Sequence, residues 1–134
     1  SEARCQQLVR RAQAFFALGR WDELSADLVV LQDAPGGPGG ADGPGPRTAA
    51  LLRALMLCRR EQWAEAYAES CRLLALPAFA GAAAELAAVR FESAYRMGRS
   101  RPAYRLSARQ LQRLRDNGHE PWVDRLIAQC GLPA

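Results

Sequence analysis

The sequence repeats one short corner pattern, and this repetition restricts the possible folds more than any other feature. In "FFALGRWDEL" a glycine, Gly19, interrupts an otherwise helical pattern, and glycine weakens a helix interior by about 1 kcal/mol relative to alanine. Apolar residues recur at helical spacing on both sides, which predicts two helices joined by a tight corner at Gly19 and Arg20. The corner recurs in "CRREQWAEAY", where Trp63 takes the place of Trp21, and in "AYRMGRSRPAY", where Gly98 takes the place of the glycine.

This pattern resembles the tetratricopeptide repeat, a helix-turn-helix of about 34 residues. The family has a small residue inside its first helix, glycine at the turn, an aromatic residue two positions later and alanine three positions beyond that. The residues that carry the resemblance are Ala12, Gly19, Trp21 and Leu24 in the first repeat, Ala54, Glu61, Trp63 and Ala66 in the second, and Phe91, Gly98, Ser100 and Ala103 in the third.

The resemblance implies an all-α fold, a right-handed array of about three antiparallel helix hairpins followed by a capping helix. The whole chain, 1–134, has the length of a single domain. The tract "PGGPGGADGPGP" cannot hold a helix, so it is predicted to be a flexible surface loop. Pro121 suits the first turn of a last helix. The predicted elements are hairpins at about 3–34, 47–76 and 82–116, the Pro/Gly loop at 35–46 and the capping helix at 120–130.

The charge pattern weighs against nucleic-acid binding. The net charge is +4, and all 18 basic residues are arginine. However, 14 acidic residues are interleaved with them, and no long basic run occurs. A mixed-charge, solvated surface is expected, with no nucleic-acid partner.

Catalytic and metal-binding patterns are missing from the sequence. The cysteines Cys5, Cys58, Cys71 and Cys130 form no C-x-x-C pair, and the single histidine is His119. No nucleophile, phosphate-binding, zinc or dinucleotide motif occurs. We therefore expect free thiols, no metal, no cofactor, no catalytic residues and no enzymatic activity.

The chain shows no targeting or spanning segment. The longest uncharged apolar stretch, 73–84, contains Pro77 and Gly81 and is well short of the ~20 residues of a spanning helix. The amino terminus has no signal-peptide pattern. These features favour a cytoplasmic protein without membrane insertion.

The resemblance places a partner-binding groove on the first helices of successive repeats. The groove positions, most of them apolar, are Val9, Gln13, Phe16, Leu51, Leu55, Cys58, Ala88, Glu92 and Tyr95. Family members that clamp a peptide's terminal carboxylate use lysine and asparagine here, and neither occurs at these positions. An apolar groove suits the hydrophobic face of an amphipathic helix instead. The alternative is that Leu51 and Leu55 are ordinary core residues.

A narrower resemblance concerns type III secretion. The stretches "LLRALMLCRREQWAEAYAES", "FESAYRMGRSRPAY" and "EPWVDRLIAQC" are similar in order to the hairpin, hairpin and closing helix of needle-subunit chaperones. That family implies a partner whose amphipathic helix is buried to prevent premature assembly. It also implies a second small co-chaperone, or self-association, to cover the remaining apolar surface. The alternative is a generic tetratricopeptide scaffold or a regulatory fragment of a larger protein.

Overall fold

The described part of the chain is built from helices. The computed structural model describes residues 2–33, 43–99, 106–116 and 124, and within them no strand occurs. The expected all-α class is therefore confirmed for this part. The helices are α1 (Glu2–Leu18), α2 (Trp21–Gln32), α3 (Pro44–Arg59), α4 (Trp63–Leu74), α5 (Ala83–Arg96) and α6 (Ala108–Asp116), with a short 3-10 helix (Pro77–Ala82) before α5.

The chain divides into two compact units. Unit 1 is Ser1–Met56 and unit 2 is Leu57–Ala134, and each is described by itself. Apart from residue 124, the predicted capping helix at 120–130 lies outside the described residues, and so does most of the predicted loop at 35–46. The third-repeat positions Ser100 and Ala103 also lie outside them.

The predicted corners end three helices in the same way. The N–H of Gly19 donates to the Phe16 carbonyl, and the next N–H donates to the Phe15 carbonyl, at 3.1 and 2.9 Å. This pair of bonds, with a left-handed residue between them, is the Schellman motif that satisfies the last carbonyls of a helix. The same two bonds follow α3 at Glu61 and α5 at Gly98, and the three central residues have φ values of 71°, 60° and 75°.

The first two corners also match in how the next helix begins. Arg20 precedes α2 with φ −88° and ψ 78°, and Gln62 precedes α4 with φ −88° and ψ 73°. Each accepts the first intrahelical bond through its carbonyl, from the N–H of Leu24 and of Ala66. The four buried residues that flank these corners at equivalent positions, each with 0% exposure, are Ala12, Leu24, Ala54 and Ala66.

Unit 1 has its own apolar core, built by helices that alternate in direction. Residues of α1, α2 and α3 form one buried cluster: Ala12, Phe16, Leu24, Leu28, Leu31, Ala49, Leu52 and Met56. The hydroxyl of Ser25, early in α2, lies 3.8 Å from the Met56 sulfur, late in α3. A Cβ at Gly45, early in α3, would lie 3.0 Å from the sulfur of Cys5, early in α1. It follows that α1 and α3 run parallel and α2 runs antiparallel to both.

Helix α3 begins earlier than the sequence analysis predicts. Pro44, Gly45 and Pro46 were expected in the loop at 35–46, but all three are helical. The first N–H groups of a helix have no intrahelical acceptor, so prolines in the first turn sacrifice no hydrogen bond. The N–H of Arg47 already donates to the Gly43 carbonyl at 3.0 Å.

Unit 2 is organised around α5, which is buried on most of its circumference. Nine of its residues are buried: Ala84, Leu86, Ala87, Ala88, Val89, Phe91, Glu92, Ser93 and Ala94. The small side chains let α4, α6 and the 3-10 helix pack against α5, and Leu106, Leu111 and Leu114 complete the cluster. The hydroxyl of Ser93 donates to the Val89 carbonyl at 2.7 Å, which satisfies this polar group inside the core.

No single helix in the described ranges is long and apolar enough to cross a bilayer. The helical segments Trp63–Leu74 and Pro77–Arg96 meet the length and composition requirement only as a pair, and the chain bends by 118° between them.

Candidate protein-binding surface

Two of the three predicted groove residues on α1, Val9 and Gln13, lie on the side of that helix that faces away from α2. Arg11 marks the edge of α1 that faces α2, because it donates two hydrogen bonds to the Asp27 carboxylate, at 2.9 and 2.5 Å. Val9 and Gln13 are each two residues from Arg11, about 200° around the helix. Val9 is half-buried against the unit 1 core and Gln13 is exposed. Phe16, the third, is instead a core residue: it is 8% exposed, and its ring centre lies 5.9 Å from that of Trp21, at the start of α2.

The two α3 positions of the predicted groove emerge on the same side. The core-facing residues of α3 include Leu52 and Met56, and each is preceded by a predicted groove residue, Leu51 or Leu55. One step along a helix is a rotation of about 100°. Because α3 runs parallel to α1, a step back from the core-facing residues Leu52 and Met56 turns the side chains of Leu51 and Leu55 away from α2. Leu51 and Leu55 are both half-buried. We call Val9, Gln13, Leu51 and Leu55 the unit 1 face.

The predicted groove residues of unit 2 are mostly buried. Cys58, Ala88 and Glu92 are 1–3% exposed, whereas Tyr95 is 45% exposed. Glu92 accepts a hydrogen bond from Arg96 Nε at 2.9 Å. This bond is the largest cause that raises the pKa of Arg96 above its ordinary value; desolvation opposes it, and the Glu92 and Glu61 charges contribute less.

A second group of side chains joins α4 to the end of α5, and the sequence analysis named only Trp63 and Tyr95 among its members. The Arg96 guanidinium carbon lies 5.5 Å from the centre of the Trp63 ring, and that of Arg99 lies 4.4 Å from the centre of the Tyr67 ring. Tyr95 is exposed beside them in sequence. We call Trp63, Tyr67, Tyr95, Arg96 and Arg99 the arginine–aromatic surface.

The edge of unit 1 beside α2 carries a related arrangement. Arg11 and Arg20 both lie over the Phe15 ring, at 5.9 and 5.6 Å from its centre. Here each arginine is also paired with an acid, Arg11 with Asp27 and Arg20 with Glu23. The hydrogen bond to Asp27 and its charge raise the pKa of Arg11. This edge therefore satisfies its own charges.

The described residues hold no obvious reactive centre. Cys5, Cys58 and Cys71 form no disulfide, while Cys130 and His119 lie outside the described ranges. Within those ranges, no three acidic, histidine or cysteine side chains are grouped so that they could hold a metal ion.

Comparison of the chain with protein families, with curated proteins and with solved structures found no match.

Proposed function

We propose that this protein is a non-catalytic interaction module that binds an amphipathic helix of a partner protein in an apolar concave groove. The observation that carries the proposal is the unit 1 face. It holds three half-buried aliphatic side chains, Val9, Leu51 and Leu55, on two parallel helices, on the side away from α2.

The chemistry of the unit 1 face fits a helix better than an extended peptide. Its side chains present aliphatic surface, and Gln13 is its polar member. A partner helix with apolar anchors at positions i, i+3, i+4 and i+7 can cover such a face without leaving unpaired charges. An extended peptide would need backbone partners, and in the middle of α1 and α3 the backbone groups are already bonded within the helices.

The tetratricopeptide arrangement is part of the proposal, and the repeated corners support it. Residues 19 and 61 both have positive φ, and a tryptophan follows each of them by two positions. Arg20 and Gln62 also have matching dihedral angles. Equivalent corners favour similar crossing angles between the two helices of each pair. In tetratricopeptide arrays the first helices of successive pairs run parallel and form the binding surface.

The narrower form of the proposal is a chaperone of the type III secretion kind, and the alternative is a tetratricopeptide scaffold. The two differ in the partner. A chaperone keeps a self-assembling subunit soluble by covering its apolar helix face, whereas a scaffold holds a partner that is already folded and stable. Addition of the purified protein should therefore delay partner assembly in the first case only.

The test is a selection of displayed helical peptides on the purified full-length protein. We expect the selected peptides to share apolar residues at i, i+3, i+4 and i+7. Leu51→Arg and Leu55→Arg should each weaken binding by about tenfold or more, since each places a charge against an apolar helix face. Leu18→Arg is the matched control, because Leu18 is 69% exposed and lies outside the unit 1 face.

Circular dichroism distinguishes lost binding from lost folding. Leu55 packs against the unit 1 core, so Leu55→Lys is a second variant whose long side chain can keep its charge in water. Selected peptides without helical periodicity would contradict the proposal. So would folded Leu51→Arg and Leu55→Lys variants that bind as tightly as Leu18→Arg.

A further inference from the structure

We infer that the arginine–aromatic surface of unit 2 is a second recognition site, which binds a carboxylate side chain of an acidic peptide segment. This inference does not depend on the unit 1 face. It concerns different residues, a different ligand chemistry and a contact that is polar rather than apolar.

The backbone at the end of α5 holds Arg99 in a fixed place. Gly98 has a φ of 75°, a conformation that glycine adopts without strain. The turn is closed by two hydrogen bonds, from the Gly98 N–H to the Tyr95 carbonyl and from the Arg99 N–H to the Ala94 carbonyl, at 3.0 and 2.9 Å. The Arg99 side chain therefore extends from a backbone turn that is closed by hydrogen bonds.

The Tyr67 ring then orients the Arg99 guanidinium. Tyr67 is half-buried and packs against the unit 2 core, and the guanidinium carbon of Arg99 lies 4.4 Å from the centre of its ring. A stacked guanidinium keeps its N–H donors along its edge, where two of them match the two oxygens of a carboxylate. Less rotamer entropy is lost on binding when the guanidinium is already held by a ring.

The charges around the two arginines differ, and this difference identifies the binding residue. Arg96 already donates to Glu92, and Glu61 adds a further negative charge near it. Arg99 is exposed, and in the described part of the chain no acidic side chain pairs with it. Among the described residues of this surface, Arg99 is therefore the arginine whose positive charge is available to a ligand.

The same charges favour an acidic peptide over a nucleic acid. A phosphate backbone needs several unpaired cations in a row, whereas here Glu61 and Glu92 lie beside the neighbouring arginine. The Arg99 guanidinium lies over the Tyr67 ring, at a turn that also carries the exposed Tyr95. This arrangement suits one carboxylate with an adjoining apolar or aromatic side chain. Arginine, tryptophan and tyrosine are also the residue types that most often dominate protein–protein binding.

The experiment uses isotope-labelled full-length protein and two acetylated, amidated peptides, tetraglutamate and tetraglutamine. Tetraglutamate should shift the NMR signals of the Arg99 side-chain N–H and the Trp63 indole N–H in a saturable way, and tetraglutamine should not. Arg99→Gln should weaken tetraglutamate binding by about tenfold. Arg99→Lys should weaken it by less, because lysine keeps the charge but loses the planar pair of donors.

Arg53→Gln is the matched control, because Arg53 is an exposed arginine of unit 1. It should leave tetraglutamate binding within about twofold of the wild type. Equal losses for Arg99→Gln and Arg53→Gln would reduce the effect to general charge attraction and overturn the inference. Oligodeoxythymidylate that binds more tightly than tetraglutamate, with an affinity that falls steeply with salt, would overturn it in favour of nucleic acid. Neither outcome involves the unit 1 face.

Discussion

At the scale of single residues, Glu61 stands out because it occupies a glycine position. It is the one non-glycine residue with positive φ in the described ranges, at 60°, and the equivalent corners have Gly19 and Gly98. A side chain in this left-handed conformation costs about 1 kcal/mol or more relative to glycine, because Cβ approaches the following carbonyl oxygen. Glu61 is exposed, so packing does not offset this cost.

Replacement of this residue should stabilise the protein. We expect Glu61→Gly to raise the free energy of unfolding by about 0.5–1 kcal/mol, since relief of the backbone strain exceeds the entropy that glycine adds to the unfolded chain. Glu65→Gly, an exposed position inside α4, should instead lower it by about 1 kcal/mol. Denaturant unfolding measures both. A loss of stability in Glu61→Gly would mean that the attraction between Glu61 and Arg96 outweighs the strain.

Single residues also mark where sequence analysis is effective and where it is not. The corners were predictable because each is marked by a glycine, at 19 or 98, or by a tryptophan, at 21 or 63, close to the end of a helical pattern. The stacking of Arg99 on Tyr67 was not, because it joins residues from two helices whose packing no local pattern specifies. The burial of Ala88 and Glu92 was missed for the same reason, since it depends on what packs against α5.

At the scale of elements, the contact between α1 and α3 is the one on which the proposed function depends. At their first turns, a Cβ at Gly45 would lie 3.0 Å from the Cys5 sulfur and 3.4 Å from the Leu31 carbonyl oxygen. A real Cβ rarely approaches a neighbour this closely, so the glycine lets the two helices start side by side. Parallel packing of α1 and α3 then brings Val9 and Leu55 against one core.

A double-mutant cycle tests this contact. Gly45→Ala adds the Cβ that the Cys5 sulfur obstructs, and Cys5→Ala removes the obstruction. We expect Gly45→Ala to be more favourable by about 1 kcal/mol in the Cys5→Ala protein than in the wild type, because over-packing is relieved. Thermal or denaturant unfolding of the four proteins gives the coupling. Additive effects of the two substitutions would mean that α1 and α3 do not meet at these residues.

Element boundaries show a further limit of sequence patterns. Proline and glycine in "GPGPR" predicted a loop, yet both prolines fit the first turn of α3. The start of α6 carried an unused signal, the sequence "SARQ". Ser107 Oγ accepts from the Gln110 N–H at 3.1 Å, and Gln110 Oε1 accepts from the Ser107 N–H at 3.0 Å. This reciprocal capping box is recognisable from residue spacing alone.

At the scale of the whole molecule, the described residues form two buried clusters rather than one. The unit 1 cluster is made by residues of α1, α2 and α3, and the unit 2 cluster by α5, α6 and Leu106. The sequence indicated repeated helix pairs but not which helices share a core. Apolar periodicity identifies the buried face of a helix, but not the element that packs against that face. Both surfaces proposed for binding belong to a single unit each, so each can be disturbed without direct damage to the other.

This division predicts local rather than global effects of core cavities. Leu24 belongs to the unit 1 cluster and Leu111 to the unit 2 cluster, and they are 0% and 2% exposed. Each Leu→Ala change should cost about 2–5 kcal/mol. Hydrogen exchange should then accelerate chiefly in residues 2–56 for Leu24→Ala and in residues 57–116 for Leu111→Ala, because each cavity weakens its own cluster. Equal acceleration throughout the chain in both variants would show that the two clusters open only together.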